Sequence, residues 1–525
     1  MEQHQGVFME NVKKVRTACR NCHGGCGVIA HVKDGKVVKV EGDPDSPISH
    51  GTLCSKGLAV TQLAYHPDRV LYPMKNGGNG WQRITWDEAL DTVADRFNAV
   101  IEAHGAESIV IGQGTGRDYE SHLYRFANLL GTPNVLTAGH MCYVSRVAAT
   151  LITCGNLPVA DWNGRPECIL MWACNPQWTN PDEHKGVDFW KAYKQGAKLI
   201  VIDPRKGFLA KKADLWLQLR PGTDAALAMG FFNVIIEEEL YDMAFVENFI
   251  NGWDAFKQRV REYSPDRVAE ITWVDKNLIR KAARVYAKTK PAALLWGVPT
   301  EQTINCTDCT RLLTGLMAAT GNLDAPGGNA FFVPPPVRTV TDFARHRDLP
   351  KEQRNKRLGA EQYPLASRVA LITPKVAWDA ILTGKPYPLK AGLLCGTNPV
   401  ITRANASEAY EALNKLDFLA VIDFFLTPTA ELADIFLPAG TWLEQNHVAD
   451  NWKRHGYILA RQKAAEIGEC WQDHKIFMEL GKRMGQQWWD TVEDALDYLL
   501  EPAGLTWDQF KEKGYLKGEQ TYYKY

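Results

Sequence analysis

Four cysteines near the N-terminus have the residue type and spacing that most directly indicate chemistry. Cys19, Cys22, Cys26 and Cys54 follow the pattern C-x2-C-x3-C-x27-C. The first three lie in a glycine-rich segment, CRNCHGGCG, whose glycines allow the chain to bend tightly. Thiolates are soft ligands that hold zinc or iron–sulfur clusters. The sequence therefore predicts a metal centre bound by these four cysteines.

The arrangement of the fourth cysteine bears on which metal is bound. Zinc ribbons usually draw their ligands from two paired knuckles, whereas the second half of this pattern offers only Cys54. A predicted hairpin, GVIAHVKD and KVVKVEG joined at Asp34 and Gly35, leads the chain toward that residue. These features favour a [4Fe–4S] cluster, and structural zinc is the alternative.

The composition excludes several classes of protein and partner. The 525 residues include 60 Lys and Arg against 61 Asp and Glu, so the net charge of −1 argues against a nucleic-acid partner. Hydrophobic residues make up 45%, which is ordinary globular composition. The longest apolar stretch, residues 225–236, is too short for a membrane span. The N-terminus has no export-signal pattern, so we expect a cytoplasmic protein.

The rest of the chain has an α/β pattern. Helical stretches such as TWDEALDTVADRFNAVIEAHG alternate with the apolar runs SIVIGQG, ECILMWA, KLIVID, AALLWGV, AGLLCG and FLAVID. Continuous apolar runs are typical of parallel strands covered by helices on both faces. Six such strands end close to Gly112, Asn175, Asp203, Gly297, Gly396 and Asp423. Because nucleotides bind at the carboxyl edge of open parallel sheets, these positions are candidate cofactor sites.

One strand-to-helix segment is similar in position to a phosphate loop. GQGTGRD, residues 112–118, follows a predicted strand and precedes a predicted helix. It departs from G-x-G-x-x-G, and no acidic residue lies about 20 positions later to hold a ribose. This argues against an NAD or FAD site.

Several ordered motifs resemble the molybdenum/tungsten bis-pyranopterin guanine dinucleotide enzymes, the dimethyl sulfoxide reductase family. The cysteine pattern and the following LCSKG resemble the family's N-terminal [4Fe–4S] domain, and the resemblance continues to the last residues. It implies an α/β fold with a small N-terminal [4Fe–4S] domain and two interleaved doubly wound α/β domains. In the family, the lysine corresponding to Lys56 lies between cluster and pterin and assists electron transfer.

The resemblance also implies domain boundaries. The cluster domain would span residues 13–75, one α/β domain residues 76–140 and 331–485, and the other residues 141–330. Residues 486–525 would form a C-terminal helical segment. Family members continue into a β-barrel domain, whereas this sequence stops at EQTYYKY, which is expected to be a strand-like end without a pairing partner. The barrel would then be absent and supplied by a separate chain.

The segment RFANLLGTPNVLTAGHMC resembles the family segment that ends in the side chain bound to the metal. That ligand corresponds to Cys142. The implied cofactor is bis-molybdopterin guanine dinucleotide with Mo or W, for which a thiolate is a suitable soft ligand. In isolation Cys142 would be interpreted as a buried small hydrophobic residue. His140 and Arg146 flank it, and either substrate contact or packing explains them.

Other segments resemble the family's guanine dinucleotide sites. ACNPQWTNP, VIDPR and LRPGTDAAL supply Asn175, Asp203, Arg205, Gly222 and Asp224 for one dinucleotide. CGTNP and DFFLTPTAELADIFLP supply Gly396, Asn398, Asp423 and Thr427 for the other. In the family a carboxylate, here that of Asp224, accepts the guanine N–H groups.

The resemblance implies an oxidoreductase with two-electron chemistry at the metal and single electrons passing through the cluster. The expected substrate is a small molecule such as formate or a sulfur or oxyanion compound. The expected partner is an iron–sulfur or other electron-transfer subunit. Formate dehydrogenases of the family usually carry His after the metal ligand, whereas Tyr143 follows here, which argues against formate.

Two alternatives remain at this stage. RFANLLGTPN and GTDAALAMGFFNVIIEEELYDMAFVENF are similar to a non-redox tungsten enzyme of the family, acetylene hydratase, which has Asp after the second cluster cysteine. His23 occupies that position here. The other alternative is a catalytically inactive iron–sulfur relay subunit. The C-x-x-C pair Cys306 and Cys309 is interpreted as core or pocket-lining thiols, and the helix GECWQDHKIFMELGKRMG as a packing element or interaction surface.

Overall fold

The computed structural model describes residues 11–115, 118–176, 186–450 and 455–525. The chain forms two compact units, each assembled from separate stretches of sequence. The first unit comprises Met1–His140, Pro335–Asn451 and Tyr457–Lys517, and the second comprises Met141–Pro334, Trp452–Gly456 and Gly518–Tyr525.

The strands of the described residues, in chain order, are β1 (Lys13–Ala18), β2 (Gly27–Lys33), β3 (Lys36–Gly42), β4 (Met74–Asn76), β5 (Trp81–Arg83), β6 (Ile109–Gln113), β7 (Val135–Thr137), β8 (Val159–Ala160), β9 (Cys168–Trp172), β10 (Lys198–Ile202), β11 (Leu215–Leu217), β12 (Ala292–Trp296), β13 (Asn329–Ala330), β14 (Ala391–Cys395), β15 (Phe418–Asp423), β16 (Ile435–Pro438), β17 (His447–Ala449), β18 (Tyr457–Arg461) and β19 (Tyr515–Lys517).

The α-helices of the described residues are α1 (Ser55–Leu58), α2 (Val60–Ala64), α3 (Trp86–His104), α4 (Glu120–Leu130), α5 (Val144–Cys154), α6 (Gly186–Lys194), α7 (Phe208–Lys212), α8 (Asp224–Glu237), α9 (Met243–Phe249), α10 (Trp253–Val260), α11 (Pro265–Thr272), α12 (Lys276–Lys288), α13 (Cys306–Ala319), α14 (Val340–Phe343), α15 (Lys351–Asn355), α16 (Pro364–Arg368), α17 (Pro374–Thr383), α18 (Pro399–Thr402), α19 (Ala406–Asn414), α20 (Asp473–Arg483), α21 (Val492–Leu500) and α22 (Trp507–Lys513).

An antiparallel sheet of β1, β2 and β3 begins the first unit, with β2 at its centre. β2 and β3 form the predicted hairpin, and both residues at its tip, Asp34 and Gly35, have positive φ angles of 49° and 76°. Glycine adopts such angles without steric cost, which favours a turn at this dipeptide. Because β1 ends at Ala18, the sheet delivers the chain directly to Cys19.

The main sheet of the first unit has the strand order β5-β4-β16-β15-β14-β6-β7, and β16, β15, β14, β6 and β7 run parallel. Helices cover both of its faces. On one face Val110 and Leu394 share a core with Trp378 of α17. On the other face Phe97 of α3 packs edge-on against Phe418. This double coverage explains why the strands are apolar along their whole length.

The second unit contains a fully parallel sheet with the order β11-β10-β9-β12. Alternate residues of β9 face opposite cores: Leu170 packs with helices α8, α12 and α13, whereas Ile169 packs with Phe189 of α6 and Leu209 of α7. All six apolar runs predicted as strands are strands of these two parallel sheets. The predicted α/β fold class, with a small cluster domain and two doubly wound sheets, is confirmed.

The C-terminal residues correct one expectation. β19 pairs antiparallel with β18, and the aromatic end that follows makes contacts within the second unit. The Tyr523 N–H donates to the Asp324 carbonyl, and the Tyr522 hydroxyl donates to Asp161, both at 2.8 Å. The expectation of an end without partners is therefore wrong. Its partners lie far upstream in the sequence, where no local pattern indicates them.

Across the described stretches of the chain, no helix is both long and apolar enough to cross a membrane.

Candidate functional site

The cysteine loop is closed by a backbone hydrogen bond from the Cys19 N–H to the Cys26 carbonyl at 2.8 Å. Cys54 directly precedes α1, and this short helix packs onto the loop. A Cβ added to Gly57 would lie 3.4 Å from the Cys19 sulfur and would overlap the Leu53 side chain, so α1 packs closely against the loop at this glycine. The hairpin and α1 thus bring the distant fourth cysteine to the other three.

The chemistry of this donor set fits a metal cluster. Burial, together with the neighbouring cysteines, raises the pKa of the Cys19 and Cys26 thiols to about 12. Backbone N–H groups of Asn21 and Gly24 point at the sulfurs of Cys19 and Cys22, at 3.5 and 3.3 Å. These thiols become thiolates only if positive charge is bound among them, and bound iron supplies that charge.

The cysteines do not converge on a single ion. Within the described residues no group of three or more His, Cys, Asp or Glu side chains is close enough to hold one metal ion. A zinc ion needs all of its ligands at about 2.0–2.3 Å from one point. A [4Fe–4S] cluster is larger, and each cysteine binds a different iron, so its ligands stand further apart.

Lys56 lies on α1 next to Cys54, and its charge acts on Cys26, where it lowers the thiol pKa. The Lys56 carbonyl accepts a hydrogen bond from the Asn21 side chain, whose oxygen accepts the Trp442 indole N–H at 2.9 Å. The predicted lysine therefore stands beside the cysteine loop, on an element that the loop itself holds in place.

The main sheet of the first unit has its topological switch point between β6 and β14. From this pair, β7 lies on one side and β15 and β16 lie on the other. The segments after the two strands approach closely, because a Cβ on Gly114 would lie 2.3 Å from the Gly396 carbonyl oxygen. Gly396 itself has a φ of 54°, and a Cβ there would lie 2.9 Å from the Tyr119 hydroxyl. Ligands of open α/β sheets bind at this kind of position.

A cavity of about 540 Å³ opens at the switch point, at the carboxyl ends of β6, β14, β15 and β16. Another cavity, of about 610 Å³, lies elsewhere. Two of the predicted cofactor residues, Gly396 and Asp423, line it. The cysteine loop forms another part of its wall through Arg20, Asn21, Cys22 and His23. The cluster segment and the sheet edge therefore share one cavity.

Two carboxyl groups face this cavity, that of the buried Asp473 and that of the half-buried Asp423. Burial raises the pKa of Asp423 to about 6 and that of Asp473 to about 7. Asp473 lies 3.4 Å from the Cys395 sulfur and accepts a hydrogen bond from Gln445 at 3.2 Å. Both pKa values lie close to neutral pH. A protonated carboxyl group can donate a hydrogen bond to a bound heterocycle, and an ionised one can accept a hydrogen bond from it.

The other two residues predicted for this dinucleotide lie outside the lining of the cavity. Asn398 is the N-cap residue of α18, and its side-chain oxygen accepts the Thr429 hydroxyl at 2.7 Å. The Thr427 hydroxyl accepts the backbone N–H of Ala430 at 3.2 Å. Both residues shape the loops after β14 and β15.

Cys142 lies in the second unit, between a short 3-10 turn and α5, and is half-buried. Arg146 on α5 fixes this helix to the sheet. Its guanidinium forms a buried ion pair with Glu301 and donates to the Trp296 carbonyl at the end of β12 at 2.8 Å. Arg146 is 2% exposed, which favours packing over substrate contact. The side chain of His140 lies outside the described structure.

The second sheet has its own switch point, between β9 and β12. A Cβ on Gly297 would lie 2.0 Å from the Ala173 carbonyl oxygen, so the two strand ends meet without side chains between them. Asn175 follows β9, and its amide nitrogen and the Arg205 guanidinium both lie within 4.0 Å of the position of a Cβ on Gly207. The structure thus brings two predicted residues from separate segments together.

Three further predicted residues lie around this edge. Asp203 follows β10 and accepts the Arg205 N–H at 2.7 Å, and Gly222 has a φ of 82° in the turn before α8. Asp224 is buried at the start of α8, where it accepts the Trp172 indole N–H at 2.8 Å and has a raised pKa because of burial. Residues 177–181 of the motif ACNPQWTNP lie outside the described residues.

Comparison with known families agrees with this arrangement. Residues 12–66 match the molybdopterin oxidoreductase Fe4S4 domain, and residues 69–483 match the molybdopterin oxidoreductase family. The chain belongs to the molybdopterin oxidoreductase family.

Relatives within the molybdopterin oxidoreductase family cover nearly the whole chain. It is 34% identical to acetylene hydratase of Syntrophotalea acetylenica, over 95% of this chain and 73% of that protein. It is 29% identical to formate dehydrogenase H of Escherichia coli, over 96% of this chain and 74% of that protein. It is 28% identical to the thiosulfate reductase molybdopterin-containing subunit PhsA of Salmonella typhimurium, over 95% of this chain and 68% of that protein.

A solved structure of the molybdopterin oxidoreductase family is also similar. Acetylene hydratase from Pelobacter acetylenicus superposes with a TM-score of 0.90 at 33% identity, covering 97% of this chain and 74% of that one. These matches confirm the predicted cofactors, a [4Fe–4S] cluster and a molybdopterin with Mo or W, and the prediction that the chain is an enzyme. They also decide between the cluster and structural zinc.

The sequence analysis missed several residues at the cavity. Asp473 and Gln445 face it, as does Trp442. Asp473 begins α20, the helix interpreted from the sequence as a packing element or interaction surface, and that interpretation is incomplete. The signal was an acidic residue followed by His474 at a helix start. This signal indicates a site residue only when the fold is known, because the strands then place Asp473 beside Cys395.

Proposed function

We propose that this member of the molybdopterin oxidoreductase family is an oxidoreductase that exchanges electron pairs with a small molecule at a Mo or W centre. Single electrons pass through the [4Fe–4S] cluster bound by Cys19, Cys22, Cys26 and Cys54. The observation that carries the proposal is the shared cavity, because Cys22 of the cluster loop and Asp423 at the sheet edge line the same space. A cofactor in this cavity lies within electron-transfer reach of the cluster.

The chain's own residues have defined roles in this proposal. When bound, the pterin-held metal supplies the two-electron chemistry. Gly114 and Gly396 let the ends of β6 and β14 approach closely, and Gly396 lines the cavity that would receive the cofactor. Lys56 places a positive charge beside Cys26, which favours the arrival of an electron at the loop. Asp473 and Asp423 hold or release protons near neutral pH.

We assign the metal ligand to Cys142. The half-buried side chain stands at the start of a helix that the buried Arg146–Glu301 pair ties to the second sheet. Such anchoring would hold a thiolate in a fixed position. Replacement of Cys142 by Ser should abolish turnover while the iron content stays unchanged, and Cys306→Ser, in the same unit, is the matched control.

We assign one guanine dinucleotide to the second unit and the other to the first. The proposed contacts in the second unit are Asn175, Asp203, Arg205, Gly222 and Asp224, and those in the first unit are Gly396, Asn398, Asp423 and Thr427. The convergence of Asn175 and Arg205 at Gly207 supports the first set, and the cavity supports Gly396 and Asp423. Because Trp172 already donates to Asp224, one oxygen of this carboxylate is engaged within the protein.

The substrate class and the partner follow from the same proposal. A reductase of a sulfur or oxyanion compound, or a dehydrogenase of a small acid such as formate, needs an electron-transfer subunit to connect the cluster to a redox carrier. Tyr143 after the metal ligand favours the first class over formate. We place the enzyme in the cytoplasm of an anaerobic cell, because exposed clusters are oxygen-sensitive.

A second candidate function is non-redox hydration by a tungsten centre. The 34% identity to acetylene hydratase, and the TM-score of 0.90 to a structure of that enzyme, favour it. His23 weighs against it, because it stands in the position expected to carry an acid–base Asp. His23 lines the cavity, and its Nε2 lies 3.4 Å from the Thr115 carbonyl. Imidazole is itself a common general acid and base, so we retain hydration as the second candidate.

Anaerobically purified protein distinguishes these functions. Elemental analysis for Fe, Mo and W comes first, because iron without Mo or W would indicate a relay subunit and contradict both proposals. Turnover of sulfur and oxyanion compounds or formate, with viologen dyes as electron donor or acceptor, is then compared with acetylene consumption without any acceptor. Dye-linked turnover supports the oxidoreductase. Acetylene consumption alone supports the hydratase and contradicts the first proposal.

A further inference from the structure

A group of buried imidazoles in the first unit has no role in the proposed reaction. His122, His447 and His474 are at most 3% exposed. The ring centroid of His474 lies 4.6 Å from that of His122 and 4.5 Å from that of His447. We call these three residues the histidine group. They come from α4, β17 and α20, so the fold assembles them from distant parts of the sequence.

Asp118 joins the histidine group at its polar side. The His474 Nε2 donates to the Asp118 carbonyl at 3.1 Å, and the His447 Nε2 lies 3.9 Å from the Asp118 Oδ1. The other carboxylate oxygen, Oδ2, lies 3.1 Å from Nε of Arg20 and also pairs with Arg461. These cations hold the pKa of Asp118 well below its usual range, although burial opposes them.

The same two arginines belong to the cluster region. Arg20 lies between two of the proposed ligands, and its Nη1 donates to the Cys22 carbonyl at 3.2 Å. Arg461 donates from Nε to the Ala18 carbonyl at 2.8 Å, directly before Cys19. A continuous polar chain therefore runs from the cysteine loop through the arginines and Asp118 to the histidine group.

Four atoms of this chain have no hydrogen-bond partner among the described residues. They are His122 Nε2, His447 Nδ1, His474 Nδ1 and Asp118 Oδ1, all buried. Buried polar atoms without partners are rare, and each needs an explanation. A metal ion does not provide one, because within the described ranges these side chains do not form a single-ion site. A proton is a ligand that such imidazole nitrogens can take.

A small cavity gives solvent protons access to the group. Its volume is about 20 Å³, enough for one water molecule. Asp118 and His447 line it, and Ser121, Arg338 and Asp450 contribute further polar groups to the lining. One water there would connect the histidine group to the charged residues beyond it.

We propose that the histidine group is a proton-binding site whose protonation is coupled to reduction of the [4Fe–4S] cluster. One electron from an added reductant such as dithionite increases the negative charge beside Arg20. One proton from solvent then bonds to Nδ1 of His447 or His474, and no other bond forms or breaks. The pair takes up a single proton as a unit, because its two rings are in contact.

The charged surroundings set the direction of this coupling. Burial lowers the pKa of His474 to about 4 and holds the pKa of His447 and His122 well below the usual range. The imidazoles are therefore neutral at pH 7 until further negative charge arrives, which raises their proton affinity. The charged and titratable groups around them are Asp118, Arg20, Arg461, Arg125, Asp473, Arg338 and Asp450.

The midpoint potential of the cluster as a function of pH tests the proposal. Anaerobically purified holoprotein is titrated with dithionite and redox mediators between pH 5 and 9, and the reduced cluster is followed by EPR. We expect the potential to fall as pH rises, approaching 59 mV for each tenfold change in proton concentration in part of the range. A potential that is independent of pH throughout would overturn the proposal.

Variants assign the effect to the histidine group. In His447→Gln/His474→Gln, the Gln amides keep a donor near the position of Nε2 but do not titrate, so the potential should change less with pH than in the wild type, and Asp473 and Asp423 would account for the change that is left. The single variants serve if the double variant does not retain its iron. His31→Gln is the control, since His31 is also buried but pairs with Glu41 at 2.9 Å. An unchanged pH dependence in the double variant, with the control like the wild type, would contradict the assignment.

The inference rests on the cluster ligation in the proposed function, and the two can fail separately. Absence of any [4Fe–4S] signal in reduced protein would contradict the proposed ligation. A normal signal with a pH-independent potential would contradict only the role of the histidine group.

Discussion

Gly114 and Gly396 approach so closely that a Cβ atom on Gly114 would lie 2.3 Å from the carbonyl oxygen of Gly396. These residues follow β6 and β14, the two strands at which the order of the main sheet reverses. A Cβ atom on Gly114 would clash with a backbone atom and not with the end of a flexible side chain, so a side-chain rotation cannot relieve the clash. The mouth of the cavity is therefore shaped by the absence of side chains at this contact.

The variant Gly114→Ala should consequently lose cofactor before it loses its fold. We expect a decrease in stability of about 1–3 kcal/mol, typical of overpacking, together with a reduced content of Mo or W per chain. Thermal unfolding and elemental analysis measure the two effects. Gly77→Ala is the matched control, because its nearest neighbour would be 3.6 Å away. Full metal content in Gly114→Ala would contradict a role for this contact in cofactor binding.

Removal of one cluster ligand should remove the cluster. In Cys19→Ser the buried hydroxyl is a poor iron ligand, so iron should fall well below about four per chain and the EPR signal of the reduced cluster should disappear. Cys470→Ser provides the comparison, since the Cys470 thiol contacts the Val70 carbonyl at 3.6 Å instead. Equal iron in the two variants would exclude Cys19 as a ligand.

The buried ion pair of Arg69 and Glu444 should contribute strongly to the stability of the cavity wall. The side chains are 0% and 3% exposed, and Arg69 also donates to the carbonyls of Ala64 and Ala439. Arg69→Leu leaves a buried carboxylate unpaired, so we expect a loss of about 3–5 kcal/mol in denaturant unfolding. The exposed pair of Arg83 and Glu469 is the control, and Arg83→Leu should cost about 1 kcal/mol or less.

Asp473 should make the stability depend on pH. Burial raises its pKa from 3.8 in the unfolded chain to about 7 in the folded protein, so between these values the unfolded chain has lost a proton that the folded chain keeps. This carboxyl group therefore lowers stability as pH rises from about 4 to about 7, by up to about 1.4 kcal/mol per pH unit. Relative to wild type, Asp473→Asn should gain stability over that range and level off above pH 7.

Melting temperatures from pH 5 to 8 measure this difference. Asp68→Asn is the control variant, because the Asp68 side chain is 83% exposed. A constant offset between Asp473→Asn and wild type across the range would show that Asp473 does not titrate there.

Features of local sequence predicted much of this molecule. The cysteine spacing indicated the cluster because three ligands lie within eight residues, and the hairpin at Asp34 and Gly35 has its own turn signal. The apolar runs indicated parallel strands, since a strand buried on both faces must be apolar throughout. The strand ends then located both switch points, where Gly396 and Gly297 lie.

Contacts between distant segments were not predictable in the same way. Asp473 reaches the cavity only because α20 begins beside the end of β14, 78 residues earlier in the chain. The histidine group depends on Asp118, the last residue of the GQGTGRD segment. The sequence of that segment indicated only that it is not a standard phosphate loop. The partners of the C-terminal tyrosines are equally remote. The residues of such groups follow no fixed spacing along the sequence, and only tertiary packing brings them together.

The interrupted main sheet has a consequence for biogenesis. β6 pairs with β14, yet Ile109 and its partner Ala391 are separated by Met141–Pro334, the longest segment of the second unit. During synthesis the second unit can become compact while β6 still exposes an unpaired apolar edge, which is a hazard for aggregation. The cavity at this edge does not exist until β14 and β15 have emerged from the ribosome. Insertion of the cofactor is therefore a late, post-translational event, and a chaperone that shields β6 would have a long interval in which to act.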